Sequence, residues 1–405
     1  MNVFVINSGS SSIKYQLITM PEATVICSGL IDRIGLDNST IQHKVFLNGG
    51  EKVIKETLTI PDHSTGLREV AKLLTAPEIA VIADPREIDV VGHRVVHGGE
   101  TFAQTSVITS EVKDKIRKLF PLAPLHNPPN YLGIEVAEQI FTAATQIAVF
   151  DTAFHQTMKP VAYRMAIPKS FYDEHGIRAY GFHGTSHKYV SEKAVEYLNK
   201  KESRIITIHL GNGCSMAAVK NGVCIDTTMG FGPMNGLIMG TRTGDIDQSV
   251  IFHLITQLGY SPLDVNNILN KKSGMLGLTG FSDMRDVKAA YMKGEEEAVL
   301  AYEMYGYHIR KYIGAYAAAL GGVDAIVFTA GVGENDALTR ELATKELSFL
   351  GIRIDDAKNK QGGKGLVDIS AADSQAKVLV ISTNEELEIA RQCHELVNGQ
   401  QGEAP

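Results

Sequence analysis

Two short segments that lie half a chain apart share one pattern, and this internal repeat limits the possible folds more than any other feature of the sequence. Each segment, residues 3–12 and residues 205–214, passes from an apolar strand into a turn of small residues, after which a second strand starts at once. Asn7 and His209 occupy matching places and are 202 positions apart (209 − 7) in a chain of 405 residues. Solenoid repeats are far shorter, so the period predicts duplicated domains with a ligand held between the two turns. The alternative is two unrelated hairpins, because Gly and Ser are common turn residues.

Short apolar runs that end at Gly, Asp or Asn predict buried strands, and segments with helical periodicity lie between them. The predicted strands cover residues 3–6, 90–91, 147–150, 205–208, 325–329 and 378–381, and the predicted helices cover residues 188–199, 298–320 and 385–397. Because strands and helices alternate, we expect an α/β architecture. A chain of 405 residues also exceeds the length at which one hydrophobic core stops growing, so two domains are expected.

Charge and composition argue against several classes of protein. A formal net charge of −7 leaves no broad basic field, so we expect neither a nucleic acid nor a membrane surface as a partner, and any phosphate must be bound locally. The four cysteines show no CxxC spacing and are too few for a disulfide framework, which suits a reducing compartment. The first strand starts without a basic leader, and no apolar stretch is long enough to span a bilayer. We therefore expect a cytoplasmic protein.

Two turns rich in small residues are candidates for phosphate binding. Ser10, Ser12 and Lys14 are alternate residues, so in an extended hairpin arm their side chains lie on one face. Two hydroxyls and an ammonium group on one face suit phosphate oxygens. Residues 331–335, Gly-Val-Gly-Glu-Asn, lie between a predicted strand and a helix predicted from Asp336, so backbone N–H groups and a positive helix end are near any ligand. The chain has no GxxxxGK[ST] motif and hence no P-loop. The alternatives are a solvated hairpin face and an ordinary tight turn.

An acid, a histidine and two arginines lie where ligands usually bind in α/β proteins. Asp151 ends a predicted strand, at the carboxyl edge of the sheet. His183 precedes a helix, whose positive end favours a neutral imidazole that donates a hydrogen bond. Arg94 and Arg242 lie in Gly-rich sequence at strand or loop ends, which suits bidentate recognition of a carboxylate or phosphate. Each residue also has a structural alternative, such as an exposed turn, a buried histidine or a surface ion pair.

Two helix starts are predicted from capping residues. One helix is expected to begin near His187 with Ser186 as its N-cap. The C-terminal helix is expected to begin with a capping box formed by Thr383 and Glu386, which leaves Glu385 free for another task.

Two HxxxH spacings, His93/His97 and His183/His187, raise the alternative of a zinc hydrolase. Neither contains the Glu of an HExxH motif. Because His183 is predicted to precede its helix, that pair would not share a helical face. The pattern therefore favours phosphate chemistry over zinc hydrolysis.

Over essentially the whole chain, these segments resemble the acetate kinase family. The matching segments follow in order as residues 7–14, 92–100, 123–129, 149–158, 180–187, 209–213, 239–247, 328–335 and 383–387. The resemblance implies the duplicated two-domain α/β fold of sugar kinases, actin and heat-shock chaperone ATPases, with the active site in the interdomain cleft, and a homodimer. The domains are expected at residues 1–152 plus 385–405, to which the C-terminal helix returns, and at residues 153–384, which bind the nucleotide.

The resemblance also implies a metal site and a nucleotide site. Asn7 and Glu385 look like the residues that hold Mg²⁺, with Mn²⁺ as the other candidate ion. ATP and ADP would be the co-substrates. The implied nucleotide-binding residues are Ser10, Ser12, Lys14, His209, Leu210, Gly211, Asn212, Gly213, Asp283, Met284, Arg285, Gly331, Val332, Gly333, Glu334 and Asn335.

The implied reaction is direct, reversible in-line transfer of the γ-phosphoryl group of ATP to acetate, giving acetyl phosphate and ADP. Acetate is already a carboxylate at pH 7, so no base is needed, and catalysis must suppress repulsion between anions and align the attack. Arg94 resembles the arginine that holds the substrate carboxylate, and Asp151 the active-site acid. His183 and Arg242 resemble the transition-state stabilisers. The implied wall around the acetate methyl group consists of Val96, Leu125, Phe182 and Pro233.

One loop departs from the family pattern. The family usually has Thr-Pro-Leu-Glu where this chain has Gly-Pro-Met-Asn at residues 232–235. Gly232 adjoins the implied methyl pocket, so the departure bears on the size of the acid rather than on the type of reaction. A propionate or other short-chain carboxylate kinase is the nearest alternative. A nucleotide-driven switch with the same fold is another, although it would have no need of Arg94, His183 and Arg242.

Overall fold

The chain is built around two mixed β-sheets. The structure is a computed structural model and describes residues 1–9, 11–47 and 50–402. One sheet belongs to unit 1, which comprises Met1–Ala153 together with the chain from Asn384 onward. The other belongs to unit 2, which comprises Phe154–Thr383. The predicted α/β class is confirmed. No helix in the described ranges combines the length and the apolar character needed to cross a membrane.

The elements are numbered in chain order. The strands of unit 1 are β1 (Asn2–Ser8), β2 (Ser12–Thr19), β3 (Thr24–Asp32), β4 (Ser39–Leu47), β5 (Gly50–Leu58), β6 (Val90–Val95), β7 (Ser106–Val107) and β8 (Thr145–Phe150). Its helices are α1 (His63–Thr75), α2 (Ser110–Lys118), α3 (Asn127–Ile140) and the C-terminal α15 (Glu385–Gly402).

Unit 2 contains more helices around a smaller sheet. Its strands are β9 (Arg204–Leu210), β10 (Cys214–Lys220), β11 (Val223–Thr227), β12 (Ala325–Thr329), β13 (Leu366–Asp368) and β14 (Lys377–Ile381). Its helices are α4 (Pro160–Tyr163), α5 (Lys169–His175), α6 (Gly184–Leu198), α7 (Gln248–Thr256), α8 (Pro262–Lys271), α9 (Gly274–Thr279), α10 (Met284–Met292), α11 (Glu296–Leu320), α12 (Ala330–Asn335), α13 (Ala337–Thr344) and α14 (Asp356–Gln361). Short 3₁₀ turns lie at Pro85–Glu87, Phe120–Leu122, Ala153–Thr157 and Ser348–Leu350.

The two sheets share one topology. The strand order of unit 1 contains β3-β2-β1-β6-β8, and that of unit 2 contains β11-β10-β9-β12-β14. In each series the first three strands are antiparallel neighbours and the last three are parallel. The two hairpins predicted from the sequence repeat are β1–β2 and β9–β10, so the predicted duplication is confirmed.

The central strand of unit 1 is covered on both faces. Alternate residues of β1 point in opposite directions, and Phe4 and Ile6 pack with apolar residues of α1 and α3. Val3 and Val5 pack on the other face, against α15. This two-sided burial explains why the strand reads as a continuous apolar run instead of an alternating one.

The predicted start of α6 is wrong. The helix begins at Gly184, and its N-cap position is His183 instead of Ser186. Ser186 does not cap because its hydroxyl forms hydrogen bonds with His209 Nδ1 (2.8 Å) and Thr383 Oγ1 (2.9 Å). His183 has a left-handed backbone conformation (φ 56°), which costs free energy for a residue with a side chain.

Two further helix predictions need correction. Residues 331–335, predicted as a turn before a helix, lie within the short helix α12, and α13 follows directly. The capping box predicted for α15 is also wrong, because Asn384 Oδ1 accepts the hydrogen bond from the Leu387 N–H at 3.0 Å. Glu386 pairs with Lys14 instead.

Candidate active site

The carboxyl ends of three neighbouring strands in unit 1 bring Asn7, Arg94 and Asp151 together. Asn7 lies near the end of β1, Arg94 lies near the end of β6, and Asp151 follows β8 directly. Because β1, β6 and β8 are parallel neighbours, these ends meet at one edge of the sheet. Arg94 Nε donates a hydrogen bond to Asp151 Oδ1 at 3.1 Å, Nη2 donates to Oδ2, and Nη1 donates to Asn7 Oδ1 at 3.1 Å.

The Arg94–Asp151 ion pair is largely removed from water. The Asp151 side chain is 1% exposed and that of Arg94 is 19% exposed. Burial by itself would lower the pKa of Arg94, but the neighbouring carboxylates of Asp151 and Glu385 more than offset it, so the pKa lies above its usual value. Three of the five N–H groups of the guanidinium are used in the described contacts. By this count, one N–H on each Nη atom remains for an incoming carboxylate.

Two glutamates in the first turn of α15 make this part of unit 1 acidic. Burial raises the pKa of Glu385 to about 7, while Arg94 lowers it and Asp151 and Glu386 raise it further. Glu386 forms an ion pair with Lys14 at 2.5 Å. The positive end of α15 offsets part of the repulsion between the carboxylates. An arrangement of this kind suits an additional cation.

The apolar residues predicted in unit 1 differ in exposure. Val96 is buried just after β6, and its backbone N–H donates to Asn130 Oδ1 at 3.0 Å. Leu125 is 63% exposed. Asn130 also donates to the Ser8 carbonyl at 2.6 Å, and Asn127 bonds the backbone of His97 in the same way. These two asparagines of α3 hold the loop that carries Val96, a role that the sequence did not predict.

The structure describes part of the hairpin that the sequence predicts to bind phosphate. Ser12 begins β2, and Lys14 lies opposite Asn7 in the β1–β2 ladder. Ser10, also predicted to bind the nucleotide, lies outside the described residues.

In unit 2, His183 and Arg242 approach the turn that joins β9 to β10. A Cβ atom placed on Gly213 would lie 3.5 Å from His183 Cε1, 3.6 Å from its Nε2 and 3.6 Å from Arg242 Nη1. The His183 ring stacks on that of His209, with the centroids 4.2 Å apart. The structure thus gathers a histidine, an arginine and a glycine turn that are widely separated in the sequence.

The Arg242 side chain is half-buried and has no carboxylate partner among the described contacts. Its Nη1 donates to the Pro233 carbonyl at 3.1 Å and lies 3.8 Å from Met239 Sδ. Burial lowers the pKa of Arg242, while Cys214 raises it slightly. Because a guanidinium remains charged in proteins, this arginine retains capacity to bind an anion.

A cavity of about 690 Å³ in unit 2 adjoins this turn. Eight of the predicted nucleotide-binding residues line it, namely Gly211, Asn212, Asp283, Met284, Arg285, Gly331, Val332 and Asn335. Further lining residues were not predicted, namely Cys214, Met239, Gly240, Met275, Ser282, Lys288, Tyr305 and Asp336. Several of these carry apolar or thioether side chains, which is typical of small-molecule sites with a few polar anchors.

Close backbone packing shapes one wall of the cavity. The Gly240 N–H donates to the Asn212 carbonyl at 3.1 Å. A Cβ atom on Gly240 would lie 2.9 Å from the backbone oxygen of Ser282, which cannot turn aside as a side chain can, so the position favours glycine. Opposite charges also pair at the rim. Asp283 caps α10 and bonds Arg285, which lowers the pKa of Asp283 to about 2, and Lys288 pairs with Asp336 at 2.7 Å.

The other nucleotide-binding residues predicted in unit 2 are not among those that line the cavity, namely His209, Leu210, Gly213, Gly333 and Glu334. Leu210 and Gly333 are buried, and His209 bonds Ser186. Glu334 folds back, and its Oε1 accepts hydrogen bonds from the backbone N–H groups of Ala330 (3.0 Å) and Thr383 (3.2 Å). In the described conformation the Glu334 carboxylate therefore links the backbone after β12 to the backbone at Thr383.

The apolar residues predicted in unit 2 are Phe182 and Pro233. Phe182 is buried, and its carbonyl accepts a hydrogen bond from His155 Nε2 at 2.9 Å. Pro233 is half-buried and holds Arg242 through its carbonyl. A Cβ atom on the neighbouring Gly232 would meet no atom within 4 Å, so a side chain fits there.

Nearly the whole chain is similar to known proteins. A model of the acetokinase family matches residues 2–391 of the chain. The chain is 57% identical to an acetate kinase of Flavobacterium johnsoniae over 397 residues, which cover 98% of this chain and 100% of the relative. A crystal structure of Porphyromonas gingivalis acetate kinase superposes with a TM-score of 0.91 at 43% identity, covering 98% of this chain and 99% of that one. A propionate kinase from Francisella tularensis gives a TM-score of 0.90 at 39% identity, with 96% and 98% covered.

Proposed function

Since the chain belongs to the acetokinase family, we propose that it transfers the γ-phosphoryl group of ATP to acetate and catalyses the reverse reaction. The observation that carries this proposal is the approach of His183 and Arg242 to the Gly213 turn beside the large cavity of unit 2. Phosphoryl transfer depends mainly on positioning and on stabilising spread negative charge, which these donors can supply.

The acceptor is bound in unit 1. Arg94 holds the acetate carboxylate through the N–H groups that Asp151 and Asn7 leave available. Asp151 fixes the orientation of the guanidinium and abstracts no proton, because acetate is already ionised at pH 7. A carboxylate oxygen forms the bond to the γ-phosphorus, and the bond to the bridging oxygen of ADP breaks.

The nucleotide is bound in unit 2. ADP occupies the cavity lined by Gly211, Asn212, Gly331 and their neighbours, with its base among the methionine side chains. Arg242 and His183 donate hydrogen bonds to oxygens of the transferring phosphoryl group. Arg242 suits this role because it forms no ion pair among the described residues and keeps its charge for the phosphoryl oxygens.

The donor set of unit 1 fits a magnesium ion. Mg²⁺ prefers oxygen ligands and is usually bound by one or two protein carboxylates together with water and substrate phosphates. Asn7 and Glu385 would hold it, and Mn²⁺ could take its place. The raised pKa of Glu385 reflects a half-buried carboxylate that a cation would stabilise. When bound, the ion would neutralise part of the charge on the nucleotide phosphates.

A hydroxamate assay of acyl phosphate formation tests the proposal. Purified protein with ATP and Mg²⁺ should form acyl phosphate with acetate, less with propionate and least with butyrate. A matched reaction without carboxylate reports background ATP hydrolysis. Absence of acyl phosphate with every acid would reject the proposed reaction.

Propionate kinase activity is the second candidate. The chain is 39% identical to the Francisella tularensis propionate kinase, close to its 43% identity with the Porphyromonas gingivalis acetate kinase. Gly232 also lacks the side chain that the family usually carries in this loop. A kcat/KM for propionate above that for acetate would favour this second function.

The assembly is proposed to be a homodimer. Helices α7 and α8 of unit 2 expose apolar side chains, of which Phe252 is 65% and Leu263 is 69% exposed. Helices α7 and α8 contact each other, and apolar side chains exposed on neighbouring helices are typical of interfaces. Sedimentation should give twice the chain mass for the wild type and a smaller species for Phe252→Asp. A monomeric wild type would contradict the proposal.

The proposed compartment is the cytoplasm, where the four buried thiols stay reduced.

A further inference from the structure

A chain of hydrogen bonds links the interior of unit 2 to His183. Thr207 Oγ1 on β9 bonds His187 Nδ1 on α6 at 2.7 Å. His187 Nε2 bonds Ser215 Oγ on β10 at 2.7 Å, and the same Ser215 oxygen bonds His183 Nδ1 at 2.8 Å. The side chains of Thr207, His187 and Ser215 are fully buried, so water does not offer them alternative hydrogen-bond partners.

Ser215 couples the proton positions of the two imidazoles. A serine hydroxyl has one proton to donate, so it can donate to His187 or to His183 but not to both. If it donates to His183 Nδ1, then His187 Nε2 must carry a proton and donate to the serine. If it donates to His187 Nε2, then His183 Nδ1 must carry the proton. If both rings donated to the serine oxygen, its own buried proton would have no acceptor among the described contacts, which is costly. The two neutral rings therefore adopt the same tautomer.

Thr207, at the interior end of this series of hydrogen bonds, selects one of these two states. Thr207 Oγ1 has the Ala217 carbonyl as its other described acceptor, at 3.4 Å, which is long for an O–H···O bond. Its bond with His187 is 2.7 Å, so the threonine proton belongs to His187 Nδ1. This leaves the single proton of neutral His187 on Nε2. Ser215 then accepts from His187 and donates to His183 Nδ1, which places the proton of His183 on Nε2.

His187 meets the condition of neutrality. Burial lowers its pKa well below the usual value, and His155 and His209 lower it further. Their rings lie 5.7 and 6.1 Å from that of His187, between centroids. No carboxylate among the described residues bonds to either of its ring nitrogens, which are both engaged by hydroxyls.

We propose that Thr207, His187 and Ser215 are positioning residues that keep His183 neutral, with its proton on Nε2. This nitrogen faces the Gly213 turn, so the ring presents an N–H donor instead of a lone pair to the phosphoryl oxygens. The role in catalysis rests on the proposed function. The tautomer itself is a property of the protein without substrate.

The tautomer can be measured directly on the wild-type protein. Long-range ¹H–¹⁵N correlation spectra of histidine-labelled protein distinguish Nε2–H, Nδ1–H and doubly protonated rings. The signals of His183 and His187 can be assigned among the 13 histidines by comparison with His183→Gln and His187→Gln. Both rings should show the Nε2–H form at pH 7.5. An Nδ1–H form or an imidazolium at His183 would overturn the proposal.

Kinetics of Thr207→Val test the consequence for the reaction. Valine has nearly the shape of threonine but no hydroxyl, so His187 loses the proton donor that sets its tautomer. The kcat should fall about tenfold or more, with the KM for ATP nearly unchanged, because a misplaced tautomer disables an aligned group. Thr207→Ser should restore most of the kcat, and in Thr207→Val the His183 spectrum should show a mixture of tautomers.

Thr227→Val is the matched control, since Thr227 is another buried strand threonine of unit 2, and the described partner of its hydroxyl is a backbone carbonyl, that of Met216. Its kcat should stay near the wild-type value. Equal falls in kcat in the two valine variants, or a normal kcat in Thr207→Val, would overturn the proposed positioning role of Thr207. If the wild type forms no acyl phosphate, the proposed function fails, and the spectra still decide the tautomer.

Discussion

The two units place different chemistry at equivalent points of one topology. The parallel ladders align Asn7, Arg94 and Asp151 of unit 1 with His209, Thr329 and Thr383 of unit 2. In unit 1 these positions hold a buried ion pair bonded to an amide. In unit 2 they hold an imidazole and two hydroxyls, and His209 and Thr383 both bond Ser186. The duplicated scaffold thus fixes where a site forms, while the side chains at the strand ends decide what it binds.

The difference extends to the two arginines assigned to the reaction. Arg94 is already held by a carboxylate and is oriented before any substrate arrives. Arg242 is held by a carbonyl and a thioether sulfur, so its charge is not matched within the described part of unit 2. We therefore expect Arg94 to contribute to both folding and acid binding, and Arg242 to contribute mainly to the transition state.

The largest effect is expected for Arg242→Ala. Its kcat should fall about 10³-fold or more with little change in the KM for ATP, because an arginine that stabilises the transferring phosphoryl group is worth roughly 10³–10⁵ in rate. The melting temperature should change little. Steady-state kinetics with Arg310→Ala as the control, an arginine of the same unit that pairs with Glu346, check the result. A nearly normal kcat would return Arg242 to a structural role.

Arg94→Ala should combine a kinetic and a stability defect. Removing this partner leaves the Asp151 carboxylate buried without its counter-charge, and breaking a buried pair costs about 3–5 kcal/mol. The KM for acetate should rise while the KM for ATP stays similar. Urea denaturation and steady-state kinetics measure the two effects. The double variant Arg94→Ala/Asp151→Ala should lose less free energy of unfolding than the two single variants together. Strictly additive losses would contradict the proposed coupling between Arg94 and Asp151.

Val96→Ala tests the assignment of acid recognition to unit 1. Loss of two methyl groups should shift kcat/KM from acetate toward propionate and butyrate, because one methylene in an apolar pocket changes transition-state binding by about 1–3 kcal/mol. Val95→Ala is the control, since Val95 is buried in the core of the unit. It should lower stability and leave the ratios among acids unchanged. Unchanged ratios in Val96→Ala would show that the pocket is elsewhere.

The smallest effect is expected at the start of α15, which carries Glu385. Asn384→Ala should lower the free energy of unfolding by about 1 kcal/mol, because it removes the hydrogen bond to the Leu387 N–H. Asn384→Asp keeps an acceptor at the N-cap and should be nearly neutral. Equal stability of the alanine variant and the wild type, by urea denaturation, would contradict the assigned cap.

The sequence predicted the features that depend on local pattern. The strand cores and the repeat of Asn7 and His209 follow from apolar runs that end in small-residue turns, and the structure confirms both hairpins. The eight cavity residues identified from the family resemblance lie in segments that are continuous in sequence. These features need only neighbouring residues to be recognised.

Features that depend on distant partners could not be predicted in this way. Ser186 has the side chain of an N-cap but bonds His209 and Thr383, so α6 begins at Gly184. Asn130 is an ordinary helical residue in sequence, and only the folded chain places it against Val96. Likewise, Met275 lines the cavity although it lies outside the segments that resemble the family.

The most direct test of the central claim follows one oxygen atom from acetate to phosphorus. The protein is incubated with ATP, Mg²⁺ and acetate labelled with ¹⁸O in both carboxylate oxygens, and the product is observed by ³¹P NMR. Attack of the carboxylate on phosphorus predicts acetyl phosphate whose phosphorus resonance carries the isotope shift of one ¹⁸O bonded to phosphorus. Acetyl phosphate without that shift, or ADP formed without acetyl phosphate, would contradict the account.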